Sequence, residues 1–195
     1  MHYKIKPISG GLGNRFLSVL GVLGDLERRH GTGFSYSILD TILRTLNLQQ
    51  SPKSPRTLIS GLQTGSAIFS NDRIVIDEHF VCAERKSSEG SVGVHFRGGD
   101  FAVWKPHSII PAGYFIENIQ RLGSKKISLC SDDSMHPVYL AVKKWLTDNE
   151  YEIVVFGKSM LEDVYALADC IHIVASPSTF SLTAAILGGK NITFP

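Results

Sequence analysis

An α/β fold built on a parallel sheet is what this 195-residue sequence predicts. Two observations carry that expectation. From Val92 onward, short apolar runs alternate with segments of helical periodicity, and the polar, glycine-rich clusters each follow the carboxyl end of a strand. The alternation reads as β/α repeats with right-handed crossovers, hence a Rossmann-like sheet, and the clusters fall on the rim where open α/β sheets hold ligands.

The elements follow in order. Residues 3–9 alternate enough for a first strand, which runs into the turn Gly10, Gly11, Leu12, Gly13 and Asn14. Phe16, Val19, Leu20, Leu23 and Leu26 then recur at helical spacing up to the charged Glu27, Arg28 and Arg29, with Asn14 placed as N-cap. A short strand at 34–38, a helix at 38–48 and strands at 57–59 and 73–76 are the other candidates of the first half. Pro52 and Pro55 break the pattern in a polar stretch, and the charged, serine-rich segment 82–90 reads as an exposed linker. The chain therefore divides into a reduced α/β lobe, 1–80, and a larger lobe, 81–195. In the larger lobe strands are expected at 92–96, 127–130, 153–156, 171–175 and 191–194, and helices at 112–121, 137–147, 161–168 and 179–187.

The chemistry concentrates where the central strand ends. Val92 to Phe96 delivers His95, Arg97 and Asp100 into a polar elbow that contains Gly98 and Gly99. A guanidinium fork matches phosphate oxygens, and small neighbours let a phosphate come close, so these residues point to a phosphate-bearing ligand. A surface ion pair between Arg97 and Asp100 is the alternative reading. Ser131, Asp132 and Asp133, then Gly157 and Lys158, then Ser176, Pro177, Ser178 and Thr179 follow other strands, and Gly10 to Asn14 does so in the first lobe. One shared cleft accounts for all of them. The glycine turn can bring backbone N–H groups to an anion or sugar, or serve only as a tight connection. Ser178 or Thr179 at a helix start can cap it and also offer donors to phosphate. Asp132 and Asp133 are expected to cap the next helix or hold a ribose rather than a metal.

Bulk composition sets the class. With 43% hydrophobic and 19% charged residues the chain can bury a proper core. A net charge of +2, with 20 basic residues spread along the chain, gives no electrostatic footprint for nucleic acid. Cys82, Cys130 and Cys170 are odd in number and lack ligand spacing, which points to reduced thiols and away from zinc. The N-terminus carries no leader-like apolar run, and no segment approaches the roughly 18 apolar residues of a membrane span. The expectation is a cytoplasmic chain, free or peripheral to a membrane, with no transmembrane segment; oligomeric state is not legible.

In order, the glycine turn at 10–14, the HxRxGD segment from His95 to Asp100, Ser131-Asp132-Asp133, and the run from Asp163 to Cys170 followed by Ser176-Pro177-Ser178-Thr179-Phe180-Ser181 resemble the α-1,2-fucosyltransferases. The wider resemblance is to the family 11-like, α-1,2/α-1,6/protein O-fucosyltransferase group. It implies a GT-B-like fold with an acceptor-side lobe at 1–80 and a GDP-sugar-binding lobe at 81–195. The implied activity is metal-independent, inverting transfer of fucose from GDP-fucose to a hydroxyl of an acceptor glycan, with no cofactor. By the same resemblance Arg97 grips the β-phosphate, His95 and Asp163 lie near the guanine, and Ser178 and Thr179 form the phosphate-side helix start. Gly11, Gly13 and Asn14 belong to the turn that closes over donor or acceptor. Asp100 orients Arg97 or serves near the acceptor, and Asp100, Glu78 and His107 are candidate general bases.

The departures are specific. Gly98 stands where the family usually has a second arginine, Leu182 and Thr183 replace common aromatics, and the first lobe is short. These leave two alternatives: a glycosyltransferase using another GDP-sugar, and a non-catalytic sugar-nucleotide-binding relative.

Overall fold

The structure, a computed structural model, describes residues 2–7, 11–30, 35–40, 90–104, 106–157 and 159–195. The expected strands at 57–59 and 73–76, nearly all of the 38–48 helix and of the 82–90 linker, Glu78, Cys82 and Lys158 lie outside them. The chain divides into two compact units, Met1–Ala83 and Glu84–Pro195.

The first unit contains a β/α/β element. Strand β1 (His2–Ile5) stops before Pro7, helix α1 spans Leu12–His30, and β2 (Ser35–Ile38) pairs with β1 in parallel. The helix begins two residues ahead of Asn14, which corrects its expected place as N-cap. Leu12 and Phe16, four residues apart, are both buried, and the Arg15 N–H already bonds to the Gly11 carbonyl at 3.1 Å. The apolar stripe thus draws the turn into the helix and leaves Asn14 exposed in its first turn. Where the chain leaves β2, Asp40 accepts a 2.9 Å bond from Arg15 Nη1.

The second unit is a five-stranded, all-parallel sheet of order β5-β4-β3-β6-β7. Its strands are β3 (Val92–Phe96), β4 (Lys126–Ser131), β5 (Glu152–Val155), β6 (His172–Ala175) and β7 (Asn191–Thr193). Between them lie α2 (Phe101–Trp104), a 3₁₀ turn (Pro106–Ser108), α3 (Ala112–Leu122), α4 (Pro137–Asp148), α5 (Met160–Asp169) and α6 (Thr179–Gly188). The expected strands and long helices are all present with ends moved by a residue or so. One-turn α2 and the 3₁₀ turn were not foreseen.

β3 is central and buried along its whole length, as a strand covered on both faces must be. Val92, Val94 and Phe96 point to one face, where Phe115, Ile119, Tyr139, Val142 and Leu146 form a core with them. Each such side chain contributes about 1.5–3 kcal/mol when fully buried. The period of two sends His95 to the other face, where α5 and α6 pack and where Cys130, Leu167, Ile173, Ala175, Ala184 and Ala185 form a second core. On that side Gly188 lies so close to the Ala168 carbonyl that a Cβ there would meet backbone, its carbon at 2.8 Å and Cα at 2.9 Å.

Candidate functional site

The β3 exit is held from both neighbouring strands. On the β6 side the Ser176 N–H bonds the His95 carbonyl at 2.9 Å, and the buried Ser176 Oγ accepts from the Arg97 N–H at 3.1 Å. On the β4 side Asp132 Oδ1 accepts from two successive amides, Gly98 at 2.8 Å and Gly99 at 3.2 Å. Neither Asp132 nor Asp133 caps α4, which corrects the capping half of the expectation for that pair: His136 does so, its Nδ1 accepting from the Val138 N–H at 3.2 Å. Asp133 instead accepts from the Met135 N–H at 3.0 Å.

Arg97 and Asp100 do form an ion pair, and it is bidentate. Nε donates to Oδ1 at 3.1 Å and Nη2 to Oδ2 at 2.8 Å, while the guanidinium carbon lies 5.1 Å from the centre of the Phe101 ring. The one-turn helix α2 therefore has a use: it brings Phe101 under the arginine. Gly98 is enclosed. A Cβ there would stand 2.5 Å from Phe96 Cε1 and 3.1 Å from His136 Cδ2, so the direction a second arginine would take is filled by two rings that pack at 4.8 Å.

His95 is only 4% exposed; its Nδ1 shares a 2.6 Å hydrogen bond with Ser181 Oγ and its ring lies 5.2 Å from that of Phe180. Burial drives its pKa down to about 4, against the opposing pull of Asp132 and with some help from Arg97. The imidazole is neutral at physiological pH. Cys130, in register beside His95, is pushed well above the usual thiol range by burial, with the charges of Asp163 and Cys170 adding to the effect. Asp163 itself is raised by burial, held back by the Gly157 N–H and raised further by Glu162. Its Oδ1 is enclosed without a hydrogen-bond partner.

Ser178 caps α6, its Oγ accepting from the Phe180 N–H at 3.2 Å, and Thr179 opens the helix with its carbonyl accepting from Thr183 Oγ1. The second unit thus gathers His95, Arg97, Asp100, Asp163, Ser178 and Thr179 at the carboxyl end of its sheet. Gly11, Gly13 and Asn14 open α1 in the first unit; Gly13 is buried and Gly11 and Asn14 are exposed. Ser176 and Ser181 belong to the motif read from the sequence, but their bonds to Arg97 and His95, and the clamp by Asp132, were not foreseen, because a serine or aspartate carries no mark of a partner many residues away. Among the described residues no group of three or more His, Cys, Asp or Glu is placed to hold a metal ion. No helix among them is long and apolar enough to cross a membrane.

The family described as glycosyl transferase family 11 matches residues 79–194, more than half of the chain. The chain belongs to glycosyltransferase family 11. No curated protein matches this family 11 chain. Among solved structures, the heptosyltransferase WaaC of E. coli with ADP is 13% identical, with 100% of this chain and 87% of that one covered and a TM-score of 0.56. That likeness shows the fold, α/β and GT-B-like. POFUT1 in complex with GDP-fucose is 14% identical at a TM-score of 0.42, and the family 11 chain covers 55% of itself and 41% of POFUT1 in that match. The POFUT1 complex with GDP gives 13%, 0.41, 55% and 42% for the same quantities. The chain therefore spans less than half the length of POFUT1.

Proposed function

We propose that the chain transfers fucose from GDP-fucose to a hydroxyl of an acceptor glycan, with inversion and without a metal ion, in the manner of an α-1,2-fucosyltransferase. The observation that carries this reading is the Arg97 guanidinium, fixed along one edge by Asp100 at the carboxyl end of the sheet. An arginine has five N–H donors. Two go to Asp100, and the rest are available to an anion. As GDP leaves, negative charge grows on its β-phosphate, and preorganised donors aimed at that charge lower the barrier. Arg97 and the N-terminal amides of α6, opened by Ser178 and Thr179, are such donors.

The nucleotide base fits the other group. Guanine presents two adjacent N–H donors, and the carboxylate of Asp163, partly buried in the first turn of α5, is the acceptor for them. Neutral His95, pinned by Ser181, shapes the wall beside it. Because Asp100 spends both oxygens on Arg97, it acts as a positioning residue rather than the general base. His107, exposed on the 3₁₀ turn just after α2, is the described candidate for taking the acceptor proton. Gly11, Gly13 and Asn14 would meet donor or acceptor through the backbone amides that open α1.

A second reading rests on Gly98. With the place of the second arginine filled by Phe96 and His136, the site would bind a sugar nucleotide without turnover, and another GDP-sugar would fit the same contacts. Calorimetric titration of GDP, UDP and ADP in EDTA, on the parent and on Arg97→Ala, tests the proposal. GDP-selective binding that is lost in the variant is the expected result, with donor turnover falling on the order of 10²–10³-fold. Equal binding of all three nucleotides, or a variant as active as the parent, overturns it. Parent chain that binds GDP yet transfers no fucose to a panel of glycans establishes the second reading.

A further inference from the structure

We infer that Asp132 is a second positioning residue of the phosphate-binding arginine, beside Asp100: one carboxylate oxygen clamps the amides of Gly98 and Gly99 and thereby sets where the backbone aims Arg97. The inference rests on the proposed role of Arg97 and adds a residue to it. Ser131 closes β4 opposite Phe96, the last residue of β3, so Asp132 arrives directly beside the β3 exit. There the ladder between the two strands has ended. The N–H groups of Gly98 and Gly99 would have no acceptor on that side, and Oδ1 takes both at 2.8 and 3.2 Å.

The clamp is itself braced. Ser131 Oγ accepts from the Asp133 N–H at 2.9 Å and fixes the turn that carries Asp132. Gly99 allows the close approach, since a Cβ there would stand 3.2 Å from Asp132 Oδ2. With Ser176 holding the Arg97 amide from the β6 side, the loop is tied at three successive nitrogens, and Asp132 supplies two of the three ties. What the clamp requires of residue 132 is an oxygen at that point in space. It does not require the carboxylate to touch the ligand.

That distinction gives the test. Asp132→Asn keeps an oxygen at the Oδ1 position without the charge, Asp132→Glu keeps the charge but carries it one methylene away, and Asp132→Ala removes both. GDP and guanosine are titrated into the parent and the three variants in EDTA, and amide exchange is followed at Gly98 and Gly99. The expected result is that Asp132→Asn binds GDP like the parent, whereas the glutamate and alanine variants lose roughly ten- to hundredfold, as when a partner that orients a ligating group is removed. Guanosine binding should be unchanged throughout, and exchange at the two glycines faster only in the weakened variants. An asparagine variant as weak as the alanine one overturns the inference, because the charge then meets the ligand itself. So does a glutamate or alanine variant that binds GDP like the parent. Parent protein that fails to bind GDP overturns the proposed function and this inference with it, a different result from a parent that binds and variants that match it.

Discussion

Gly98 stands where the resemblance to the fucosyltransferases leads one to expect a second arginine, and its neighbours say what an arginine there would meet. Phe96 is 1% exposed and pinned by Phe115 and His136, so it cannot swing away from a new side chain. Gly98→Arg is expected to lower stability by about 1–3 kcal/mol, the usual cost of overpacking; urea unfolding measures it. An unchanged midpoint would mean that the loop opens without strain. His95 gives the clearest pH dependence. Its imidazole titrates near its ordinary value of 6.5 when unfolded but at about 4 in the fold, so between these values the unfolded chain binds more protons than the folded one. Stability is therefore full above about pH 6.5 and falls as pH drops toward 4, by on the order of 3 kcal/mol. Urea unfolding at pH 7 and 5 should show a larger loss in the parent than in His95→Gln. At this scale the place of Arg97, Asp100 and His95 at the end of β3 was legible because polar groups stood out at the end of an apolar run. The partners of Ser176 and Ser181 were not, since they are set only by register and by the packing of α6.

The helices were legible where a stripe of apolar residues runs for three turns, as in α3 and α4. They were missed where the element is a single turn: Phe101–Trp104 is apolar and too short to show a period. Asn14 misled for a related reason, because a good capping residue yielded to the burial of Leu12. The contact between α5 and α6 was wholly hidden, as glycine at the end of a helix usually signals a cap. Here Gly188 is the last helical residue and faces the Ala168 carbonyl. Helix propensity would favour alanine at 188 by about 0.5–1 kcal/mol, but overpacking against backbone costs about 1–3 kcal/mol and decides the sign. Gly188→Ala is thus expected to lower the melting temperature, with the α5–α6 amides losing protection first in hydrogen exchange.

The sheet as a whole was the most legible feature, because parallel strands covered on both faces must be apolar throughout and must be joined by helices. Its strand order was not: only the packing of the helices decides that β6 joins β3 on the side opposite β4. If GDP binds this fold and not the unfolded chain, it should stabilise the whole unit by about 2.7 kcal/mol at a hundredfold excess over its dissociation constant. Thermal unfolding with and without GDP checks this, with Arg97→Ala as the control expected to show little shift. The same strand order fixes a schedule for the chain as it is made. β3 is the first described strand of its unit to be synthesised and the middle one in space, so Arg97 exists long before Ser176, which holds its amide from 79 residues further on. At about 5–20 residues per second the ribosome takes on the order of ten seconds to supply that partner. Throughout that interval the arginine is chemically present but has no fixed direction, and a nascent chain stopped short of β6 carries the motif without the site.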